Sequence, residues 1–214
     1  PSATEPSDDA PAKPLRIGVM VPAGGQFASL GEDTLNGIEL FTSQNGDTVG
    51  GLPFELVVED EGDPDTALRK AEKLVKDDEV DAVVGLLFSA NVIAARDVFD
   101  VAGVPVITTN SNANQISCEL ASPHVFRTSY SFHQAGVASG RWMAENVTTE
   151  GLFIQAPDNV GGVDMLSAFR EGFLEGGGDE SGIVGEQNTP FQTTTYFQPF
   201  LSKIQQSGAK YVWA

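Results

Sequence analysis

Hydroxyl and amide side chains gather in two short stretches of the chain, Ser89-Ala90-Asn91 and Thr108-Thr109-Asn110-Ser111-Asn112. Such groups donate and accept hydrogen bonds without carrying charge, which suits the capture of a small polar molecule. Chemistry beyond capture has little support. Ser129 with His133, and Ser122 with His124, lie close along the chain, but neither pair has the G-x-S-x-G setting of a nucleophile elbow, so no catalytic residue is assigned. His124, after a proline, reads as a surface residue and His133 as a helix-start residue. One cysteine, Cys118, and two histidines exclude a Cys-rich metal site and nearly exclude a histidine-based one. The acidic run Glu59–Asp65 lacks the spacing of a calcium loop and reads as a solvated loop. Gly24-Gly25 followed by Gly31 fits neither phosphate-cradling glycine pattern, so no nucleotide or other cofactor is expected.

The two polar stretches each follow an apolar run, Asp81–Phe88 and Val104–Ile107, and a helical segment with Val92, Ala95, Phe99 and Ala102 on one face lies between them. Short, continuous apolar runs are the mark of parallel strands covered on both faces. Ligands in such sheets bind outside the carboxyl ends of the strands, where both polar loops emerge.

The same alternation extends through the chain. Leu15–Val21 and Phe54–Val58 read as strands, with a helix marked by Leu35, Ile38 and Phe41 between them. Asp63-Pro64 is a helix start, and Ala67, Ala71, Leu74 and Val75 form that helix's buried face. After an irregular Ile116–Pro123 and a short strand at Val125–Ser129, a helix is expected to bury Ala135, Ala138 and Trp142. The pattern then restarts: strand Gly151–Gln155, loop Ala156–Gly162, a helix burying Leu166, Phe169 and Phe173, strand Ser181–Glu186, loop Asn188–Thr195, a helix with Phe197, Phe200, Leu201 and Ile204, and strand Lys210–Ala214. The expected class is α/β, with two Rossmann-like lobes built on doubly wound parallel sheets. Residues 1–13 are expected to form a disordered leader, either a tether to a membrane anchor or an ordinary frayed terminus, with 14–130 expected as lobe one and 131–214 as a lobe two that looks incomplete.

Composition narrows the partners. The chain has 214 residues and a formal charge of −18, so nucleic acid and anionic membrane surfaces would repel it. No apolar run approaches the length of a membrane span.

LRIGVMVPAGGQFASLGEDTLNGIEL, GLPFELVVEDEGDPDTALRKAEKLV, VDAVVGLLFSAN, GVPVITTNSNA and VFRTSYSFHQAG, in that order, resemble the type I periplasmic solute-binding proteins. These are the extracytoplasmic receptors of ABC importers, in the branch that takes leucine, isoleucine, valine and related small acids or amides. The resemblance implies two lobes closing on a solute, a first crossing near Arg127–Gln134, continuation past Ala214, and no enzymatic activity. It implies a periplasmic location or the outer face of the cytoplasmic membrane, an ABC permease as partner, and a monomer. A ligand-sensing domain of the same fold in a receptor or regulator is the alternative.

Carried over by position, the ligand contacts are Gln26 and Phe27 in the first loop, Ser89, Ala90 and Asn91 in the second, Asn110, Ser111 and Asn112 in the third, and Asn159, Val160 and Gly161 in lobe two. Ser89 is expected to cap the helix that follows it, and Phe27 to supply an apolar wall. Replacing Asn110 and Asn112 by leucine is expected to abolish binding and leave the fold intact. Gly62 and Phe88 stand where some amino-acid binders have cysteines, Ala23 replaces a serine or threonine, and Val160 replaces an aromatic. These departures point away from plain leucine/isoleucine/valine specificity. Cys118 is expected either to pair with a cysteine beyond Ala214 or to stay a free, buried thiol.

Overall fold

A computed structural model of the chain describes residues 13–214, so the expected leader, Lys13 apart, lies outside the described residues. In chain order the elements are β1 (Leu15–Val21), α1 (Ala28–Asn45), β2 (Thr48–Val49), β3 (Leu52–Asp60), α2 (Pro64–Lys76), β4 (Ala82–Gly85), α3 (Ser89–Ala102), β5 (Val106–Thr108), β6 (Val125–Arg127), α4 (Phe132–Asn146), β7 (Leu152–Asp158), α5 (Val160–Glu175), β8 (Ile183–Pro190), α6 (Gln198–Gln206) and β9 (Tyr211–Trp213). They build a six-stranded sheet ordered β2-β3-β1-β4-β5-β6 and a three-stranded sheet ordered β8-β7-β9. Every pairing is parallel except that of β2 with β3. The two-residue β2 was not anticipated, because a segment that short shows no periodicity.

Helices α2 and α3 cover one face of the larger sheet. Met20, Val83 and Val106 meet Leu74 from α2 and Val92 and Phe99 from α3. Asp63 caps α2 as expected, its carboxylate accepting from Thr66 N at 2.8 Å. On the other face α1 lays Leu35 and Ile38 against Val19, Val21 and Leu87. Leu56, Val58, Ile107 and Phe126 share that face by register but are 37–54% exposed, so α1 covers only part of it. Ala102, expected in the α3 core face, is exposed at the last residue before the left-handed Gly103.

Around the smaller sheet, α4 and α5 touch backbone to backbone. A Cβ on Gly140 would sit 2.0 Å from the Phe169 carbonyl oxygen, and one on Gly172 would sit 2.0 Å from that of Val137. The glycines therefore form the contact face of α4, which corrects the expected one: Ala138 and Trp142 are exposed. Strand ends differ for a related reason. Pairing of Ala156 with Asn188 and of Asp158 with Pro190 carries β7 and β8 into segments expected to be loops. Conversely β4 stops at Gly85, whose φ of 115° and close approach to the Met20 carbonyl turn the chain early.

Candidate ligand-binding cleft

Reversal of the strand order at β1/β4 makes the loops after these strands the site expected from topology. The β4–α3 loop is held firmly. Leu86, at φ 53°, donates its N–H to Met20 O at 2.7 Å, and Ser111 donates its hydroxyl to Leu86 O. Phe88 occupies the N-cap position of α3, and no side chain caps the helix. Ser89 therefore does not cap it, contrary to expectation: its hydroxyl accepts from Ala113 N at 3.0 Å and ties this loop to the one after β5. Asn91 and Val92 donate to Phe88 O at 3.0 and 3.2 Å, while the N–H groups of Ser89 and Ala90 have no protein partner among the described residues. A helix start with free N–H groups and the positive dipole end is an anion site in waiting.

Across the cleft, Asn159 caps α5 by accepting from Gly162 N at 2.8 Å. Gly161 lets Phe132 close in, since a Cβ there would stand 2.6 Å from the Phe132 ring. Between the two sheet edges lies a cavity of about 630 Å³. Ser89, Ala90, Asn110 and Asn112 line it from one side, and Asn159, Val160 and Gly161 from the other. Phe88, Tyr130, Phe132, Phe191 and Trp213 form aromatic walls, and no charged side chain lines it among the described residues. A bond from Asn114 N to Asp164 Oδ2, 2.8 Å long, joins the two halves.

Four expected contacts lie elsewhere. Gln26 and Phe27 line a neighbouring cavity of about 350 Å³ with Asp60 and Gln192. Asn91 is buried and donates to Gly62 O at 3.1 Å, and Ser111 is fully buried in its bond to Leu86. The aromatic walls were missed. Phe88 and Trp213 had a signal, each at or near the end of an apolar strand at a carboxyl edge; Tyr130, Phe132 and Phe191 had none.

Other expectations need correction. The acidic run is not uniformly solvated. Glu59 is nearly buried between Lys70 and Lys73 at 2.6 and 2.7 Å; burial pushes its carboxyl up, but the two lysines outweigh this and hold it below the ordinary range. Glu61 is fully buried. Cys118 is exposed, not a buried thiol, because it ends a short turn on the surface. The histidine pairs form no nucleophilic relay. Ser122 and His124 both bond to Asp100, so the acid rather than the imidazole stands in the middle. Ser129 donates to Asn112 Oδ1 at 2.5 Å, and His133 faces Glu171 at 3.1 Å. Among the described residues no group of three or more candidate ligands is placed to hold a metal, and no helix is long and apolar enough to cross a membrane.

Comparison with known proteins fixes the family. Its sequence profile, described as periplasmic binding protein, matches residues 14–214. The chain belongs to the periplasmic binding protein family. This is a family of binding proteins, not of enzymes. A Leu/Ile/Val-binding protein homolog from Brucella abortus is 28% identical over 94% of this chain and 50% of its own length. A solute binding protein of an ABC transporter from R. palustris, in complex with 4-hydroxybenzoate, superposes with a TM-score of 0.85 at 27% identity, covering 94% of this chain and 53% of that one. Another, from Rhodopseudomonas palustris BisB5 with 3,4-dihydroxybenzoic acid, gives a TM-score of 0.84 at 30% identity over 94% of this chain and 54% of that one. The chain thus spans about half the length of the curated relatives it matches. Within this periplasmic binding protein, the cleft joins an open helix start to an uncharged, aromatic-walled cavity.

Proposed function

We propose that this chain is part of an extracytoplasmic solute receptor of an ABC importer, and that its solute is a small carboxylate with a flat, apolar body, such as a benzoate. One observation carries the reading: the uncapped start of α3 opens onto a cavity walled by Phe88, Tyr130, Phe132, Phe191 and Trp213, with no charged side chain among the described lining residues. A carboxylate is stabilised by free helix N–H groups without needing a basic side chain. The ammonium of an amino acid is normally met by an anionic group, and among the described residues the lining side chains include none. Aromatic walls suit a flat ring through offset and edge contacts. The hydroxybenzoates held by the R. palustris relatives agree with this chemistry.

Asn110 and Asn112 offer donors and acceptors to a ring substituent, and Asn159 presents the opposing helix start. Capture would favour the closed arrangement of the lobes by differential affinity, and a membrane permease would read that closed state. A location in the periplasm or on the outer face of the cytoplasmic membrane, and a monomeric receptor, go with this role. Calorimetric titration of the full-length protein with 4-hydroxybenzoate, benzoate and L-leucine tests it. The aromatic acids are expected to bind with Kd of about 1 μM and leucine at least about a hundredfold more weakly. Saturable binding of leucine with none of either benzoate would overturn it.

A further inference from the structure

The end of β3 holds a carboxyl group that the binding role leaves unused. Glu61 is fully exposure-free, and its main-chain N–H donates to Val21 O at 3.0 Å. Its Oε1 accepts from Leu87 N at 3.2 Å, while its Oε2 is buried with no hydrogen-bond partner. The residues on either side are also committed. Asp60 Oδ1 accepts from Ala23 N at 3.0 Å, and Gly62 O accepts from the Asn91 side chain at 3.1 Å. Three consecutive residues of β3 and its exit thus anchor the loop after β1, the loop after β4 and the first turn of α3.

We propose that Glu61 is a positioning residue for the cleft, its buried carboxyl group fixing the backbone at Leu87 and so setting how the free start of α3 meets a bound anion. The anion in question rests on the carboxylate reading above. Geometry supports the role: Leu87 lies two residues before Ser89, in a stretch already bent by positive φ at Gly85 and Leu86. Burial is the largest influence on this carboxyl and raises it to about 7, against the nearby Asn91 amide and the main-chain N–H groups of Phe88 and Leu87, which favour the charged form. Asp60 beside it adds to the upward push, while along the chain Glu59 is paired with Lys70 and Lys73 and Asp63 caps α2. An ionised Glu61 places negative charge behind the same helix start that receives the ligand, so affinity for an anion falls as pH rises through this range.

The test follows the Leu87 amide by NMR from about pH 5.5 to about pH 8.5 in the free full-length protein, and the affinity for 4-hydroxybenzoate over the same range, in wild type, Glu61→Gln and Glu61→Ala. In wild type the Leu87 resonance is expected to titrate near neutrality and 4-hydroxybenzoate affinity to drop severalfold with rising pH. Glu61→Gln keeps an acceptor for Leu87 N and is expected to bind within about threefold of wild type at low pH with a flat profile. Glu61→Ala is expected to lose about tenfold or more in affinity. A Leu87 amide that ignores both pH and the glutamine substitution overturns the positioning role whatever the ligand is. If that amide titrates as expected in a protein that does not bind 4-hydroxybenzoate, the positioning role stands and the ligand reading fails.

Discussion

Phe27 and Phe191 stack with ring centroids 5.8 Å apart and planes 30° apart, joining the loop after β1 to the loop after β8. Phe88 closes the cluster edge-on, 5.2 Å from Phe27 and 6.4 Å from Phe191. Two of these rings come from the larger sheet's loops and one from the smaller sheet's. The cluster is therefore a contact that exists only while the two halves are together, and it sits against the cavity through Phe88 and Phe191. Aromatic pairs contribute about 0.5–1.5 kcal/mol beyond area burial. Phe191→Ala removes two of them and is expected to weaken 4-hydroxybenzoate binding about tenfold with little change in thermal stability. Calorimetry beside a thermal melt reads both. An unchanged affinity would mean that the cluster contributes nothing to closure.

Asn110 and Asn112 separate where the sequence treats them alike. Asn110 is exposed at the cavity, whereas Asn112 is almost fully buried, accepts from the Ser129 hydroxyl and lends its main-chain oxygen to Phe132 N at 2.8 Å. The expectation that both could become leucine with the fold intact is therefore withdrawn for Asn112. Asn110→Ala should weaken 4-hydroxybenzoate binding and leave stability within about 0.5 kcal/mol. Asn112→Ala should cost about 1–3 kcal/mol in stability, because it strips a buried partner from Ser129. Urea unfolding of the two single variants distinguishes them, and equal midpoints would refute the difference.

Much of this architecture can be read from the chain because its determinants are local. Asp63-Pro64 with Ala67, Ala71 and Leu74 states its own start and its own buried face within one helix. Glu61 shows the limit. In an acidic run it looks solvated, and its burial follows from Leu87 and Asn91, far along the sequence. The glycine contact of α4 was hidden for the opposite reason: Trp142 dominates any apolar pattern, yet Gly136 and Gly140 set how closely α5 can approach. Ser89 lines the cavity, but its hydroxyl serves Ala113 rather than the helix it begins.

That helix contact makes a separate prediction. A methyl group on Gly140 or Gly172 meets a carbonyl oxygen of the facing main chain, which no rotamer can relieve. Gly140→Ala should destabilise the protein by about 1–3 kcal/mol or more, despite alanine's better helix propensity. Gly37→Ala on α1, where an added Cβ meets nothing within 4 Å, is the control and should be neutral or mildly stabilising. Thermal melts of the two variants give the comparison. A tolerated Gly140→Ala would show that the helices stand further apart.

The buried carboxyl of Glu61 also ties stability to pH, and the sign follows from its direction of shift. Its folded value, raised by burial from 4.5 to about 7, means that the folded protein keeps a proton which the unfolded chain releases. Stability from this group is complete below the unfolded value and is lost as pH rises through the folded one. The loss amounts to about 3 kcal/mol for a shift of this size. Glu61→Gln cannot ionise, so its stability should exceed that of wild type above about pH 7 and lose the difference toward about pH 5. Guanidinium unfolding at both ends of that range measures it. A wild-type stability that stays level between them, matched by the glutamine variant, would mean that Glu61 is ionised in the folded protein at little cost, stabilised by the Leu87 N–H and its polar surroundings more strongly than burial opposes it.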